Sequence, residues 1–259
     1  MRLFLFAVLA FLCGHSAAAD KRPNFLFIFA DDQRYDAFSA VQAEQGEKAR
    51  FPWFRTPHMD QLAREGVRFR NAFVVSSLCS PSRAVLLTGR YNHVNGVASN
   101  FRAFPVASET HATILRAAGY TTGYVGKWHM GSQRERPVFD FVASFIGHAR
   151  YVDPVFILDG KDTPQTGWID DLSTDHAIAF LKKQKDTANP WSLVVGFKSP
   201  HGPFEPPARA RERFAGEQAR NVPNLQSPAP YNGSQKKPEP ASGEGAGEPQ
   251  LLPLHQRRG

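Results

Sequence analysis

The stretch Asn24-Phe25-Leu26-Phe27-Ile28-Phe29-Ala30 is apolar from Phe25 onward, has no helical period, and stops abruptly at Asp31-Asp32. A short apolar run of that kind suits a strand buried on both faces, as in a parallel sheet. Trp191 to Phe197 reads the same way and runs into Ser199-Pro200-His201. Tyr120 to Val125 is β-prone and leads into Gly126-Lys127-Trp128-His129, and Val67 to Val75 alternates loosely enough for a further strand.

Helices are expected between these strands. Thr56-Pro57 offers an N-cap and a first-turn proline for a helix stopped near Gly66. Pro81 to Thr88 reads as a helix ended by Gly89, and Thr110 to Ala118 as another closed by Gly119. Ser173 or Thr174 is read as the cap of a helix through Ile178 and Leu181 to Lys182-Lys183. Alternating strands and helices imply an α/β fold, a mostly parallel sheet flanked by helices on both faces. Sites in such folds lie at the carboxyl ends of strands. The polar groups at 31–32, 127–129 and 201 each follow an expected strand, which points to one shared site.

The two ends read differently from the middle. Met1-Arg2, an apolar run from Leu3 to Leu12 and then Ala17-Ala18-Ala19 make a secretory signal peptide over 1–19, cleaved before Asp20. The run falls short of the roughly 20 residues that span a bilayer, so no stable membrane insertion is expected, and the mature chain is read as periplasmic or secreted. From about Ser227 to Gly259 the chain is rich in Pro, Gly, Ser, Gln and charge, and is read as a disordered low-complexity tail. Residues 20–226 remain as the catalytic domain. The full chain's net charge of +7 comes from scattered lysines and arginines, which suits acidic partners such as anionic glycans better than nucleic acid.

Of the two cysteines, Cys13 leaves with the leader and Cys79 remains alone, among Ser80, Pro81, Ser82 and Arg83. At a helix start, the dipole and Arg83 one turn on favour a thiolate or a bound anion. An anionic ester then fits, with phosphate and sulfate equally good on this physics alone. Asp31-Asp32 offers hard oxygen ligands for Ca²⁺ or Mg²⁺. Lys127 and His129, two apart in an extended segment, point the same way and supply charge and a proton. His201, in a proline-flanked loop, is placed to protonate a leaving oxygen. His93 lies close enough to line a pocket, while His58, His111, His148 and His176 lack comparable settings; His111 and His176 are read as structural.

These residues resemble the sulfatases of the alkaline-phosphatase-like superfamily. Cys79-Ser80-Pro81-Ser82-Arg83 matches the Cys-x-Pro-x-Arg signature, and Gly126-Lys127-Trp128-His129-Met130-Gly131 looks like the second. Arg22-Pro23-Asn24 through Asp32 and Pro200-His201-Gly202-Pro203-Phe204 match two further blocks. The finer likeness, from Ser77-Leu78-Cys79 and Tyr91-Asn92-His93, is to N-acetylglucosamine-6-sulfatases. The resemblance implies that a maturation enzyme, the formylglycine-generating enzyme or another, oxidises Cys79 to formylglycine. Its hydrate attacks the sulfur of a sulfated carbohydrate or an aryl sulfate. It further implies that Asp31, Asp32 and the modified Cys79 bind Ca²⁺, and that Arg83 and His129 orient the nucleophile. Lys127 is implied to grip the sulfate, and His201 to bind it and assist the leaving alcohol. The family's second metal pair, Asp-Asn, and a further sulfate-binding lysine have no counterpart after His201, so the fold reads as incomplete at the C-terminus. Competing readings are an inactive fragment that binds sulfated glycans and a phosphate-ester hydrolase of the same superfamily.

Overall fold

The computed structural model describes residues 22–131, 134, 136 and 139–221. The expected signal peptide and low-complexity tail lie outside these residues. By its internal contacts the chain forms one unit through Glu217, and 218–221 beyond it hold no regular element.

Six strands make one sheet: β1 (Phe25–Phe29), β2 (Thr121–Lys127), β3 (Phe141–Phe145), β4 (Val155–Leu158), β5 (Lys161–Pro164) and β6 (Trp191–Gly196). The spatial order is β1-β6-β2-β3-β4-β5, parallel from β1 to β3 and antiparallel beyond. The helices are α1 (Ser39–Gln45), α2 (Pro57–Glu65), α3 (Cys79–Thr88), α4 (Asn92–Asn95), α5 (His111–Ala117) and α6 (Ile169–Gln184).

Strand alternation divides the core into two layers. Val125, Leu193 and Val195 face one way and pack with Phe180 and Ile169 of α6. Tyr124 and Val194 face the other way and pack with Ala84 and Leu87 of α3, together with Trp128 and Met130. Helices therefore cover both faces, as expected.

Three local expectations fail. β1 is not buried on both faces: Phe25 is 44%, Leu26 48%, Phe27 42% and Ile28 55% exposed. It pairs with β6 on one edge, and no described strand occupies the other. Val67 to Val75 forms no strand: it joins no ladder of the sheet, and Phe69 and Phe73 stand exposed. Helix α6 starts at Ile169 rather than after Ser173; Ser173 and Thr174 lie inside it, their hydroxyls donating to the Ile169 and Asp170 carbonyls at 2.8 and 2.7 Å. The first-turn acids Asp170 and Asp171 complement the helix dipole there. Elsewhere the helix ends are as expected: α2 has Thr56 as its N-cap, α3 ends at left-handed Gly89, and Thr110 caps α5 through a reciprocal bond pair with Thr113.

Candidate active site

The carboxyl ends of β1, β2 and β6 lie side by side, and the loops leaving them are stitched together. Phe197 N–H donates to Phe29 O at 2.8 Å and Asp31 N–H to Ser199 O at 3.1 Å. Arginine 83 reaches up from one turn into α3; its Nη1 donates to Lys127 O at 2.6 Å, and the guanidinium lies 5.1 Å over the Phe29 ring. Two glycines make room for it. A Cβ on Gly196 would stand 2.7 Å from Arg83 Nη1, and one on Gly126 2.1 Å from Gly196 O.

Asp31, 4% exposed, is the hub. Its Oδ2 accepts from the Lys127 ammonium and stands 3.7 Å from Arg83 Nη2, and its Oδ1 is 3.8 Å from Cys79 Sγ. Lysine 127 is fully buried, with its Nζ 3.8 Å from Cys79 Sγ and 3.0 Å from His148 Nδ1. The Asp31-Asp32 pair is split: Asp32, at φ 63°, turns its carboxylate outward, 3.6 Å from His201 Nε2. The structure thus brings Asp31, Asp32, Cys79, Arg83, Lys127, His129 and His201 into one cluster. Strand alternation is not what unites Lys127 and His129, however. β2 ends at Lys127, Trp128 is buried behind it, and His129 reaches the cluster through a left-handed backbone at φ 53°.

The electrostatics correct one expectation. The Cys79 thiol is pushed up, not down: partial burial dominates, and Asp31 and Asp32 oppose the lowering influence of Lys127 and Arg83. The unmodified sulfur is therefore held as a thiol, because the helix start is outweighed by desolvation. Burial, followed by the neighbouring Lys127 charge, lowers His129 and His148 to about 4. Three buried donor positions, Arg83 Nε, Arg83 Nη2 and His129 Nδ1, have no hydrogen-bond partner among the described residues. Unpaired buried donors of a cation are costly, and an oxyanion would satisfy them.

Sequence reasoning missed His148 and Lys198. His148 stacks between His129, at 4.1 Å, and His201, at 4.4 Å. It follows Gly147 just past β3, a strand not foreseen, so the signal was its place after a strand end. Lys198 is 2% exposed; its Nζ donates to Ala149 O at 2.6 Å and lies 4.2 Å over the Tyr151 ring. His93, by contrast, stacks on Tyr91 at the surface, His111 is half-buried in α5 and His176 packs on Phe156.

The sulfatase family model matches residues 23–237. The chain belongs to the sulfatase family. It is 36% identical over 192 residues to an N-acetylglucosamine-6-O-sulfatase of Bacteroides thetaiotaomicron, covering 73% of this chain and 32% of that protein. An ulvan-active sulfatase of Formosa agariphila is 30% identical, over 79% of this chain and 40% of its own length. Among solved structures, a protein in complex with its substrate D-glucosamine-2-N,6-O-disulfate superposes with a TM-score of 0.72 at 35% identity, covering 80% of this chain and 40% of that one. This sulfatase-family chain therefore spans about a third to two fifths of the length of these relatives. Among the described residues no helix is long and apolar enough to cross a membrane.

Proposed function

We propose that the site hydrolyses sulfate esters of sulfated sugars, through a formylglycine made from Cys79 by a maturation enzyme. The observation that carries this reading is the set of buried Arg83 and His129 nitrogens without a hydrogen bond beside Cys79 and Lys127. When present, the hydrated aldehyde supplies two hydroxyls, one to take the sulfuryl group and one whose deprotonation expels it. Lys127, 3.8 Å from that side chain, stabilises charge on the sulfate oxygens, and the free Arg83 and His129 donors hold the nucleophile in line. On His201, Nδ1 faces Gly202 O at 2.7 Å and donates to it, so in the imidazolium form it is Nε2, 3.6 Å from the Asp32 carboxylate, that passes its proton to the leaving alcohol. His148 Nδ1 accepts from the Lys127 ammonium, which keeps that ammonium pointed into the site. Export after cleavage at Ala19, and a catalytic domain ending near residue 226, belong to the same proposal.

Calcium fits these residues only in part. Asp31, Cys79 and His201 present ligand atoms within 4.8 Å of one another. Yet a thiol and an imidazole are poor donors to a hard cation, which takes about six to eight oxygens. The Lys127 ammonium already sits on Asp31. Asp31 and Asp32 supply two oxygens of such a shell, and no step is routed through the ion.

The test is the mass and reactivity of the tryptic peptide carrying Cys79, from cells that express a maturation enzyme. A peptide that resists thiol alkylation and reacts with a hydrazide is expected. A fully alkylatable cysteine would remove the nucleophile. The second reading, a binder of sulfated glycans without turnover, is favoured by the partial carboxylate shell. Sulfate release abolished by Cys79→Ala would exclude it.

A further inference from the structure

Beside the loop that carries His201 lies a cavity of about 290 Å³ with almost wholly apolar walls. Tyr151, Trp168, Phe204, Pro206 and Pro207 make the walls, together with Glu205. Ser199 and Pro200, next to His201, close it on the catalytic side. Tyr151 belongs to both places: its ring lines the cavity, and its hydroxyl donates to His201 O.

The walls are held firmly. The Trp168 and Tyr151 rings are nearly parallel, 15° apart, with centroids separated by 6.0 Å. The Trp168 indole N–H donates to Glu205 O at 3.1 Å. Arg209 lies 5.9 Å over the Trp168 ring and is itself clamped to Asp171 by two bonds of 2.6 and 2.7 Å. Lys198 lies 4.2 Å over Tyr151. One apolar wall is left uncovered: Phe204, at φ 58°, is 75% exposed. Preformed concave sites of mostly apolar lining with a few placed polar groups are what small ligands use, from about 300 Å³ upward, so this one has room for a single ring.

From this geometry we infer that the cavity is the subsite for the pyranose ring of the ester's alcohol. A pyranose presents an apolar C–H face, which stacks on aromatic and prolyl walls. The inference rests on the proposed function only for the direction in which the alcohol leaves, the His201 side. It deepens that reading by naming the ring.

Binding of sulfate-free N-acetylglucosamine to the full chain tests it, read from the indole N–H resonances of the four tryptophans. The expected result is a saturable shift of the Trp168 resonance. Phe204→Ala, an exposed position whose loss leaves the fold intact, should weaken that binding about fivefold or more. An unmoved Trp168 resonance, 4-nitrophenol binding as tightly as the sugar, or a Trp168 shift that follows protein concentration without sugar would each overturn the assignment. The last would mean that a second copy covers the cavity. None of these readouts needs Cys79 to be modified, so failure here is separable from failure of the sulfatase chemistry.

Discussion

Substituting Gly126 by alanine should damage the site through the backbone alone. Gly126 sits near the end of β2, paired with Gly196 of β6, at φ +88°. A left-handed backbone costs an ordinary residue about 1–2 kcal/mol. The new Cβ would also stand 2.1 Å from Gly196 O and 2.9 Å from Gly196 C, both rigid backbone atoms. The strand ends must part, and overpacking of that kind costs about 1–3 kcal/mol more. Parting them also pulls Lys127 O from Arg83 Nη1, at 2.6 Å, and from the Tyr124 hydroxyl, at 2.5 Å. A loss of about 2–5 kcal/mol in a unit of this size lowers the melting temperature by about 4–20 °C. Gly160→Ala is the control, because Gly160 has φ +76° but nothing within 4 Å of its Cβ position, and so carries the backbone strain alone. Thermal unfolding followed by circular dichroism separates the two. If Gly126→Ala melts within about 2 °C of Gly160→Ala, the close approach of β2 and β6 is not what places the Lys127 carbonyl.

Three further outcomes are expected. Lys127→Met leaves the Asp31 carboxylate buried with Arg83 as its remaining cation, and should cost about 3 kcal/mol in urea unfolding; a value near zero would mean that the pair contributes nothing. His129 and His148 are held at about 4, below their unfolded 6.5. The unfolded chain therefore binds more protons between those values. The stability they contribute is fully present above pH 6.5 and lost as pH falls toward 4, and His148→Asn should flatten that part of a stability-versus-pH curve. Isothermal calorimetry of the purified chain should give weak Ca²⁺ binding, because Asp31 and Asp32 offer two carboxylates where the ion takes about six to eight oxygens; tight one-to-one binding would show that the shell is complete.

Local chemistry made much of the molecule legible in advance. Thr56-Pro57 starts α2 and Gly89 ends α3, because capping and left-handed termination depend on a few adjacent residues. The apolar runs at 25–29 and 191–196 are strands, and the polar residues after them and after β2 do gather at one end of the sheet. The hairpin between β4 and β5 went unread although Asp159-Gly160 marks it: both residues take positive φ, 50° and 76°, as a tight turn of that type requires.

What remained was decided by neighbours distant in the chain. An apolar run specifies a strand but not its place in the sheet: among the described strands β1 lies at an edge, paired with β6, and its side chains are half exposed. Val67 to Val75 has a strand's pattern yet joins no ladder of the sheet. Nor does a helix start determine a thiol's charge. Cys79 is held protonated because burial and two carboxylates brought from the end of β1 outweigh the cations around it. His148 and Lys198 enter the site from loops that no local motif distinguishes. The signature motifs and the family were already written in residue order. Charge, exposure and the identity of half the site's supporting side chains arise only when loops over a hundred residues apart are packed together, since desolvation and Coulomb energy depend on distance in space.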